Sequence, residues 1–506
     1  MTLRDRVELR AGAYHDSVTL LQVSKAVAGV EGVAAAQVAM ATDLNVEVIR
    51  RMGFDVPDGA GPNDLLLAVR ADGEESLAAA DAVLAHELTG GRRAAAGGQG
   101  VAVVPPRTVG SAARTAGGTL ALVSLPGRYA FAEALDALEA GLDVMLFSDN
   151  VPVAQEVLLK DRAEELGLLV MGPDCGTAVV AGVGLGFANV VRPGPVGLVA
   201  ASGTGAQQVM ALLDAAGVGV RHCLGVGGRD LSAAVGGRSA RRALALLDAD
   251  PAVELVVLVS KPPAPEVESA LGETAAGMST PVHTALLGAG RPDLTAVAEQ
   301  VVRALGRDWQ EPRWWPAPVE RTGRYDRLVG AFSGGTLCDE AMVVASAALG
   351  PVASNIPLAG APRVGVSING DAGTQGHVFV DFGDDELTRG RPHPMIDNSL
   401  RAEWIGRQAR EGAVVLLDVV LGHGAHPDPA AELAPVVAAA VAAGEVAVVV
   451  SLCGTSGDPQ GLERQAEALQ AAGASVHLSN AAAARKALEL LADDVKLAGD
   501  KLGAGR

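Results

Sequence analysis

The sequence from residue 196 to 217 reads VGLVAASGTGAQQVMALLDAAG, and the sequence from 328 to 350 reads LVGAFSGGTLCDEAMVVASAALG. Each stretch contains an apolar strand, a loop of serine, glycine and threonine, and a helix of similar length. A pattern that returns in this way indicates that one structural unit occurs twice in the chain. Buried apolar strands that alternate with helices predict a parallel α/β sheet in each copy.

The chain around these two copies divides into further units. The first residues show a βαβαβα order, and the segment that follows alternates strand and helix again. We predict an α/β protein with a small ferredoxin-like or ACT-like domain and linker (1–110), a Rossmann-like domain (111–192), a first flavodoxin-like domain (193–306), a linker (307–324), a second flavodoxin-like domain (325–493) and a polar tail (494–506).

Composition limits the function classes. Of the 506 residues, 49% are hydrophobic but only 3% aromatic, which suits parallel α/β packing. The formal net charge of -19 disfavours nucleic acid and anionic membranes as partners. The four cysteines are far apart, and the N-terminus is charged where a signal peptide is apolar. A soluble, cytoplasmic protein without a membrane span is expected.

The two serine–glycine loops are candidate phosphate sites. Each precedes a helix, where exposed N–H groups and the helix dipole favour an anion, and glycines allow a ligand to approach the backbone closely. One such loop more often only caps its helix, but two on duplicated domains can hold one phosphoryl group from both sides. The predicted phosphate-binding residues are Ser202, Gly203, Thr204, Gly205, Ser333, Gly334, Gly335 and Thr336.

Polar residues also follow two predicted strands of the Rossmann-like segment. Ligands of open parallel sheets bind where the strands end. The candidate cofactor-binding residues are therefore Asp149, Asn150, Pro173, Asp174 and Cys175. Alternatively, Asp149 and Asn150 cap the next helix, and Cys175 is a small packing residue rather than a nucleophile.

Longer stretches carry a family resemblance. Residues 147–179, FSDNVPVAQEVLLKDRAEELGLLVMGPDCGTAV, resemble the CoA-binding domain of the succinyl-CoA synthetase alpha subunit. HVFVDFGDD (377–385) and VVLLDVVLG (414–422) are similar to the carboxy-terminal domain of the beta subunit. The whole order, with GRPHPMIDNSLR (390–401), resembles the FdrA family. The resemblance implies that 111–192 is a CoA-binding-type domain and that 193–306 and 325–493 are ligase domains of the succinyl-CoA synthetase type.

The FdrA resemblance implies an oxamate carbamoyltransferase of purine and allantoin breakdown, which interconverts oxalurate and phosphate with oxamate and carbamoyl phosphate. It implies CoA and phosphate as ligands, a small carboxylate or carbamoyl substrate, and separate protein subunits as partners; a homo-oligomer is a further option. No bound cofactor is certain from the sequence.

Two features of the synthetases are missing. The Gly-His-Ala-Gly-Ala segment that carries their phosphorylated histidine is replaced by PVHTALLGAGRPDLTAV (281–297), where His283 is predicted to be a buried structural residue of a strand. No segment has room for an ATP-grasp nucleotide domain. The phosphohistidine relay and the nucleotide site are therefore predicted to be lost.

His393 is the most interesting titratable residue. The predicted catalytic residues are His393, Arg391, which could pair with a phosphate or carboxylate, and Asp397; either Asp397 or Asp381 could orient the imidazole. The alternative is a rigid, proline-braced turn whose histidine caps a helix.

A second histidine-containing loop follows another strand. The two histidines His423 and His426, with Asp428, could bind a metal, but the geometry of the loop is unspecified and it provides no third fixed ligand. We therefore expect solvated or site-lining residues, and no metal is predicted.

Three functions remain open at this point. The first is a transferase for a carbonyl attached to phosphate, with the two loops holding the phosphoryl group. The second is an acyl-CoA synthetase that works with a nucleotide-binding partner, with His393 as a possible phosphate carrier. The third is a non-catalytic scaffold subunit of an assembly.

Overall fold

The computed structural model describes residues 3–13, 15, 17–90, 106–319, 323–365, 376–389 and 391–491. The chain forms two compact units, one of residues 1–107 with 389–392 and one of residues 108–388 with 393–506. Most of the predicted glycine- and arginine-rich linker, Gly390 of the quoted GRPHPMIDNSLR stretch and the predicted polar tail lie outside the described residues.

The first unit has the predicted βαβαβα order. Its elements are β1 (Arg4–Arg10), α1 (Ser17–Ala28), β2 (Val33–Met40), α2 (Asp43–Arg51), β3 (Leu65–Ala71) and α3 (Glu74–Gly90). Strand β3 lies between β1 and β2 and is antiparallel to both. Every residue of LLLAVRA except Arg70 is buried, which explains why β3 takes the central place. The small ferredoxin-like domain is confirmed.

The second unit begins with a Rossmann-like half. It contains α4 (Val109–Ala116), β4 (Leu120–Val123), α5 (Gly127–Glu139), β5 (Asp143–Leu146), α6 (Val153–Leu166) and β6 (Val170–Met171). Strands β4, β5 and β6 form a parallel sheet in that order. Helix α4 was not predicted; it is set by a capping box in which Thr108 and Ser111 bond each other's backbone.

The first copy of the repeat forms a six-stranded sheet. Its elements are β7 (Thr177–Val180), β8 (Val183–Gly186), β9 (Val196–Ala200), α7 (Gly203–Ala215), β10 (Val220–Gly225), α8 (Arg238–Asp248), β11 (Leu255–Ser260), α9 (Pro265–Ala276), β12 (Val282–Leu286) and α10 (Leu294–Ala304). The strand order is β12-β11-β9-β10-β7-β8. Strands β7 and β8 form a hairpin, and β7 pairs with β10, which lies beyond the domain boundary predicted at 192/193. That boundary stays a prediction.

The second copy forms a seven-stranded sheet of order β13-β19-β18-β17-β14-β16-β15. Its elements are β13 (Trp314–Trp315), β14 (Arg327–Phe332), α11 (Gly335–Leu349), β15 (Ala353–Ser354), β16 (Val378–Asp381), α12 (Asp385–Thr388), α13 (Ser399–Gln408), β17 (Ala413–Val420), α14 (Pro429–Ala442), β18 (Ala447–Cys453), α15 (Leu462–Ala471), β19 (Ser475–His477) and α16 (Asn480–Leu490). The linker prediction needs one correction, because Trp314 and Trp315 form an edge strand antiparallel to β19.

The two copies share one hydrophobic core. Met210 and Leu213 of α7 belong to the same buried cluster as Leu337 and Met342 of α11. Paired α/β sheets with helices between them confirm the predicted fold class. Among the described residues, no helix is long and apolar enough to cross a membrane. A cytoplasmic location stays a prediction.

A buried ion network joins the Rossmann-like half to the first repeat. Lys160 on α6 lies 2.8 Å from Glu156 and 2.8 Å from Asp230, and it also donates to the carbonyl of Val226. Asp230 in turn accepts the amides of Ser239 and Ala240 at the start of α8. The three charged side chains are at most 1% exposed.

Removal of Lys160 should therefore be costly. We expect Lys160→Met to lower the free energy of unfolding by about 3–5 kcal/mol, because Asp230 would remain buried without its cation and Glu156 would keep only Arg229. Urea denaturation measures the change. Lys486→Met is the control, since Lys486 is 36% exposed and pairs only with Glu489, so its loss should cost less than about 1 kcal/mol. Equal losses in the two variants would contradict the role of the buried network.

Candidate functional site

The starts of helices α7 and α11 meet directly. The hydroxyl of Ser202 donates to Oγ1 of Thr336 over 2.6 Å, and Ser202 also accepts the amide of Gly205 at 3.0 Å. A Cβ on Gly334 would lie only 2.8 Å from the side chain of Thr204, so a glycine is needed for this approach. The structure thus brings the two predicted loops together at one place.

The deepest part of this junction is filled by the protein itself. Oδ1 of Asp418 accepts the amide and the hydroxyl of Ser333 at 2.7 and 2.9 Å, and its Oδ2 accepts the amide of Gly334 at 2.8 Å. Asp418 is held in turn by the buried Arg401 at 2.6 Å. The prediction for Ser333 and Gly334 is therefore corrected, because their donors already bind an internal carboxylate.

The outer part of the junction stays open. Gly203 is exposed, and Thr204 and Gly335 are half-buried, whereas Gly205 and Thr336 are buried. No described residue accepts a hydrogen bond from the amides of Gly203, Thr204 or Gly335. Amides at a helix start lack partners within the helix, so these three are available to an anion.

Lys261 brings a positive charge to this opening. It follows β11, its side chain is 44% exposed, and it lies 2.8 Å from Asp339 on α11. Burial lowers its pKa, but the attraction of Asp339 outweighs this and raises the pKa overall, so Lys261 is charged at neutral pH. Sequence analysis missed Lys261, although a lone lysine after the buried strand LVVLVS was a usable signal.

Asp381, at the end of β16, faces the same opening. Its Oδ1 accepts the amide of Gly383 at 2.9 Å. A Cβ on Gly335 would lie 2.7 Å from its Oδ2 and 3.5 Å from Nζ of Lys261, so both groups border the helix start. Burial raises the pKa of Asp381 to about 7, against the opposing charge of Lys261.

The turns of the Rossmann-like half contribute more acidic groups. Asp149, Asn150 and Asp174 are exposed. Desolvation raises the pKa of Asp174 to about 7. The negative charges of Asp385 and Asp149 add to this rise, and the positive charges of Arg229 and Lys261 oppose it. Asp174 therefore lies within electrostatic range of the opening.

The remaining residues predicted in these turns are less suited to a ligand. Pro173 and Cys175 are buried, and burial raises the pKa of the Cys175 thiol to about 12. A Cβ on Gly225 would lie 2.6 Å from its sulfur, so Cys175 is a packing residue and its cofactor-binding role is corrected. The α5 start is covered as well, because Gly127 packs against the backbone of Asp149 and Asn150.

His393 is neutral and turns one nitrogen toward the site. Burial and then the charge of Arg401 lower its pKa to about 4. Its Nδ1 accepts the amide of Met395 at 3.2 Å, which places the proton of the neutral ring on Nε2. A Cβ on Gly383 would lie 2.9 Å from this Nε2 and 3.1 Å from Oδ1 of Asp381. His393 can donate a hydrogen bond here but is a weak base.

The two partners predicted for His393 lie elsewhere. Asp397 accepts the amide of Ser399 at 2.9 Å and so acts at the start of α13, which corrects its predicted orienting role. Arg391 is exposed and groups with the first compact unit, so its catalytic role stays a prediction. Of the two aspartates considered, Asp381 is the one that borders the same glycine as His393.

The other histidines have structural surroundings. His426 is buried and accepts the amide of Asp428, while His423 is exposed. His283 lies in β12 as predicted, but it is half-buried rather than buried. The described residues contain no group of three or more histidine, cysteine or acidic side chains placed to hold a metal.

Comparison with known proteins decides the family. The uncharacterized protein YahF of Escherichia coli (strain K12) is 35% identical over 501 residues, with 92% of this chain and 95% of YahF covered. The chain belongs to the YahF family. Residues 331–490 of this YahF-family chain match the family described as CoA-ligase, and residues 1–104 match the family described as AllF, heavy metal-associated domain. The FdrA name itself stays a prediction.

Two more distant matches are weaker. The alpha 2 subunit of an ADP-forming succinate–CoA ligase from Archaeoglobus fulgidus is 28% identical over 158 residues, and the match covers 30% of this chain and 54% of that subunit. A solved structure, the dinucleotide forming acetyl-coenzyme A synthetase 1 of Ca. Korarchaeum cryptofilum, matches at 15% identity and a TM-score of 0.30, covering 81% of this chain and 89% of that one.

The heavy-metal description does not fit the residues present. All four cysteines, Cys175, Cys223, Cys338 and Cys453, lie beyond the matched range 1–104. Soft metals are often held by cysteine thiolates, and the matched range of this YahF-family chain contains none.

The raised pKa of Asp381 has a consequence for stability. A buried carboxyl with a folded pKa above its unfolded value destabilises the fold once pH exceeds the unfolded pKa, and the full penalty is present above about pH 7. We expect Asp381→Asn to stabilise the protein by about 1–3 kcal/mol at pH 8 and to have little effect near pH 4.

Thermal unfolding between pH 4 and pH 8 measures this effect. Asp308→Asn is the control, because Asp308 is exposed and its loss should not change the pH profile. A constant difference between wild type and Asp381→Asn across this range would show that the carboxyl of Asp381 is not desolvated.

Proposed function

We propose that this chain is a CoA-ligase-type enzyme that transfers a carbamoyl or acyl group to and from phosphate. The observation that carries the proposal is the open junction of the two helix starts, where the amides of Gly203, Thr204 and Gly335 have no described acceptor and the ammonium of Lys261, although paired with Asp339, is 44% exposed. The specific reaction we propose converts oxalurate and phosphate into oxamate and carbamoyl phosphate.

Charge explains why the anion would bind here. The chain as a whole is strongly acidic, with a formal net charge of -19. A phosphate must therefore be held by local donors, and two converging helix dipoles with one lysine supply them. Arg229, another nearby cation, is already paired with Glu156 at 3.0 Å.

The proposed reaction needs no nucleotide. An oxygen of hydrogen phosphate attacks the ureido carbon of oxalurate, a C–O bond forms, and the C–N bond to the oxamate nitrogen breaks. The proton lost by hydrogen phosphate passes to that nitrogen. Asp174, with a pKa of about 7, can give or take this proton near neutral pH. Lys261 and the helix amides stabilise the charge on the phosphate oxygens.

Phosphate-dependent release of oxamate from oxalurate tests this proposal, with the purified chain alone and with its co-encoded proteins. We expect Lys261→Met to lower kcat/KM by about 100-fold, because a partly exposed cation beside the open amides is lost from the described site. Lys486→Met is the control and should retain wild-type turnover. Turnover that survives Lys261→Met would contradict the site, and no turnover in any combination would favour a scaffold subunit.

The second candidate is an acyl-CoA synthetase. The CoA-ligase match and the position of His393 favour it, because Nε2 of His393 approaches Gly383, which also borders the carbonyl of Ser333 at the α11 loop. His393 would then carry the phosphoryl group, and CoA would come to the same junction. Against it, the exposed carboxylates Asp149 and Asp174 would repel the phosphates of CoA.

Incubation with radiolabelled ATP and CoA, in the presence of a nucleotide-binding partner, separates the two candidates. An acid-labile phosphoprotein that disappears in His393→Asn and persists in His423→Asn would support the synthetase, since His423 is an exposed histidine away from the α11 start. For the carbamoyltransferase we expect no phosphoprotein in either variant.

A further inference from the structure

One acceptor at the junction has no donor in the described part of the chain. Oδ1 of Asp381 accepts the amide of Gly383, but no described group donates to Oδ2. The residue is only 6% exposed, and Oδ2 points to the start of α11 beside Gly335. Oδ2 is not among the fully buried atoms that lack a partner, so this oxygen is accessible from the junction and a ligand can supply its donor.

The backbone around Asp381 is fixed. The side chain of Asn355 binds both backbone groups of Asp381. Its Oδ1 accepts a hydrogen bond from the amide of Asp381, and its Nδ2 donates one to the carbonyl of Asp381, each over 2.9 Å. The neighbouring acids are already engaged, since Asp339 pairs with Lys261 and Asp418 pairs with Arg401. Of Asp339, Asp418 and Asp381, the last is therefore the one that keeps an oxygen for a ligand.

We infer that Asp381 makes the site select a carbamoyl group over an acyl group by accepting a hydrogen bond from its NH2. This inference rests on the proposed function and adds the substrate class. A carbamoyl and an acetyl group have nearly the same shape, but the first has an N–H donor where the second has a methyl. Facing Oδ2, the methyl would bury the oxygen without a partner, whereas the NH2 would satisfy it.

The same geometry leaves the phosphoryl side of the substrate unchanged. In the proposed site Lys261 and the open amides would bind the phosphate oxygens, and these are identical in carbamoyl and acetyl compounds. Discrimination between the two must then come from the group beside the carbonyl. A hydrogen bond to a charged acceptor distinguishes the two by roughly 10- to 100-fold in affinity.

The ionisation of Asp381 supports this role. Its carboxyl accepts an N–H bond best when ionised, and its pKa is raised to about 7 by burial, with Lys261 opposing and Asp339 and Asp418 adding to the shift. Lys261 stays charged, and His393, with a pKa of about 4, stays neutral between pH 6 and pH 8. Preference for the carbamoyl group should therefore increase as pH rises through 7.

Calorimetry with two stable analogues tests the inference: carbamoylphosphonate, which has the NH2, and acetylphosphonate, which has the methyl. We expect the wild-type chain to bind carbamoylphosphonate at least about tenfold more tightly at pH 8. In Asp381→Asn, Gly383 still donates to Oδ1, so the new NH2 faces the ligand and the preference should fall to about onefold or reverse. Asp308→Asn should keep the wild-type ratio.

The outcomes separate this inference from the proposed function. Equal binding of both analogues by the wild type would overturn selection by Asp381 and leave the phosphate site standing. Discrimination that survives Asp381→Asn would also overturn it and place the selection elsewhere. Failure to bind either analogue or phosphate itself, with Lys261→Met indistinguishable from wild type, would overturn both.

Discussion

The carboxylate of Asp418 determines how the second repeat presents its helix. It receives three donors from Ser333 and Gly334 and is held by Arg401, all away from water. A helix start that lies against a buried sheet needs such a partner for its amides. Because Asp418 satisfies the inner donors, only the outer amide of Gly335 and the facing loop of the first repeat stay open. The candidate site consists of the donors that Asp418 does not bind.

This arrangement explains how an acidic chain can offer an anion site. The described part of the opening has several carboxyls and the partly exposed ammonium of Lys261, so its charges do not attract an anion from a distance. Binding of an anion would depend on short hydrogen bonds. Asp174 and Asp381 share a pKa near 7 for the same first cause, desolvation. Groups of this kind suit proton transfer at neutral pH, and they also make the site sensitive to the protonation of either acid.

Much of the fold could be predicted from the sequence. The repeated strand–loop–helix pattern identified both ligase-like sheets, and strands such as β3 were predicted within two residues because apolar runs bounded by turns are strong signals. Helix α4 and strand β13 were missed, because their bounds depend on a local capping box and on an edge pairing with a distant strand.

The site was harder to predict. Its loops were found from their glycines and hydroxyls, but the partner of each donor depends on residues far away in the chain, as with Ser333 and Asp418. An aspartate inside the apolar run AVVLLDVV was the available sign of that partner. The roles predicted for Asp397 and Cys175 failed because spacing alone does not show which way a side chain points.

Both halves of the junction belong to a single polypeptide, joined through residues 305–326. The effective concentration of one repeat relative to the other is therefore set by this connection, and not by the amount of protein in the cell. Dilution cannot separate the two halves, and their ratio is always one to one. A protein built in this way keeps both helix starts together whatever other proteins it meets.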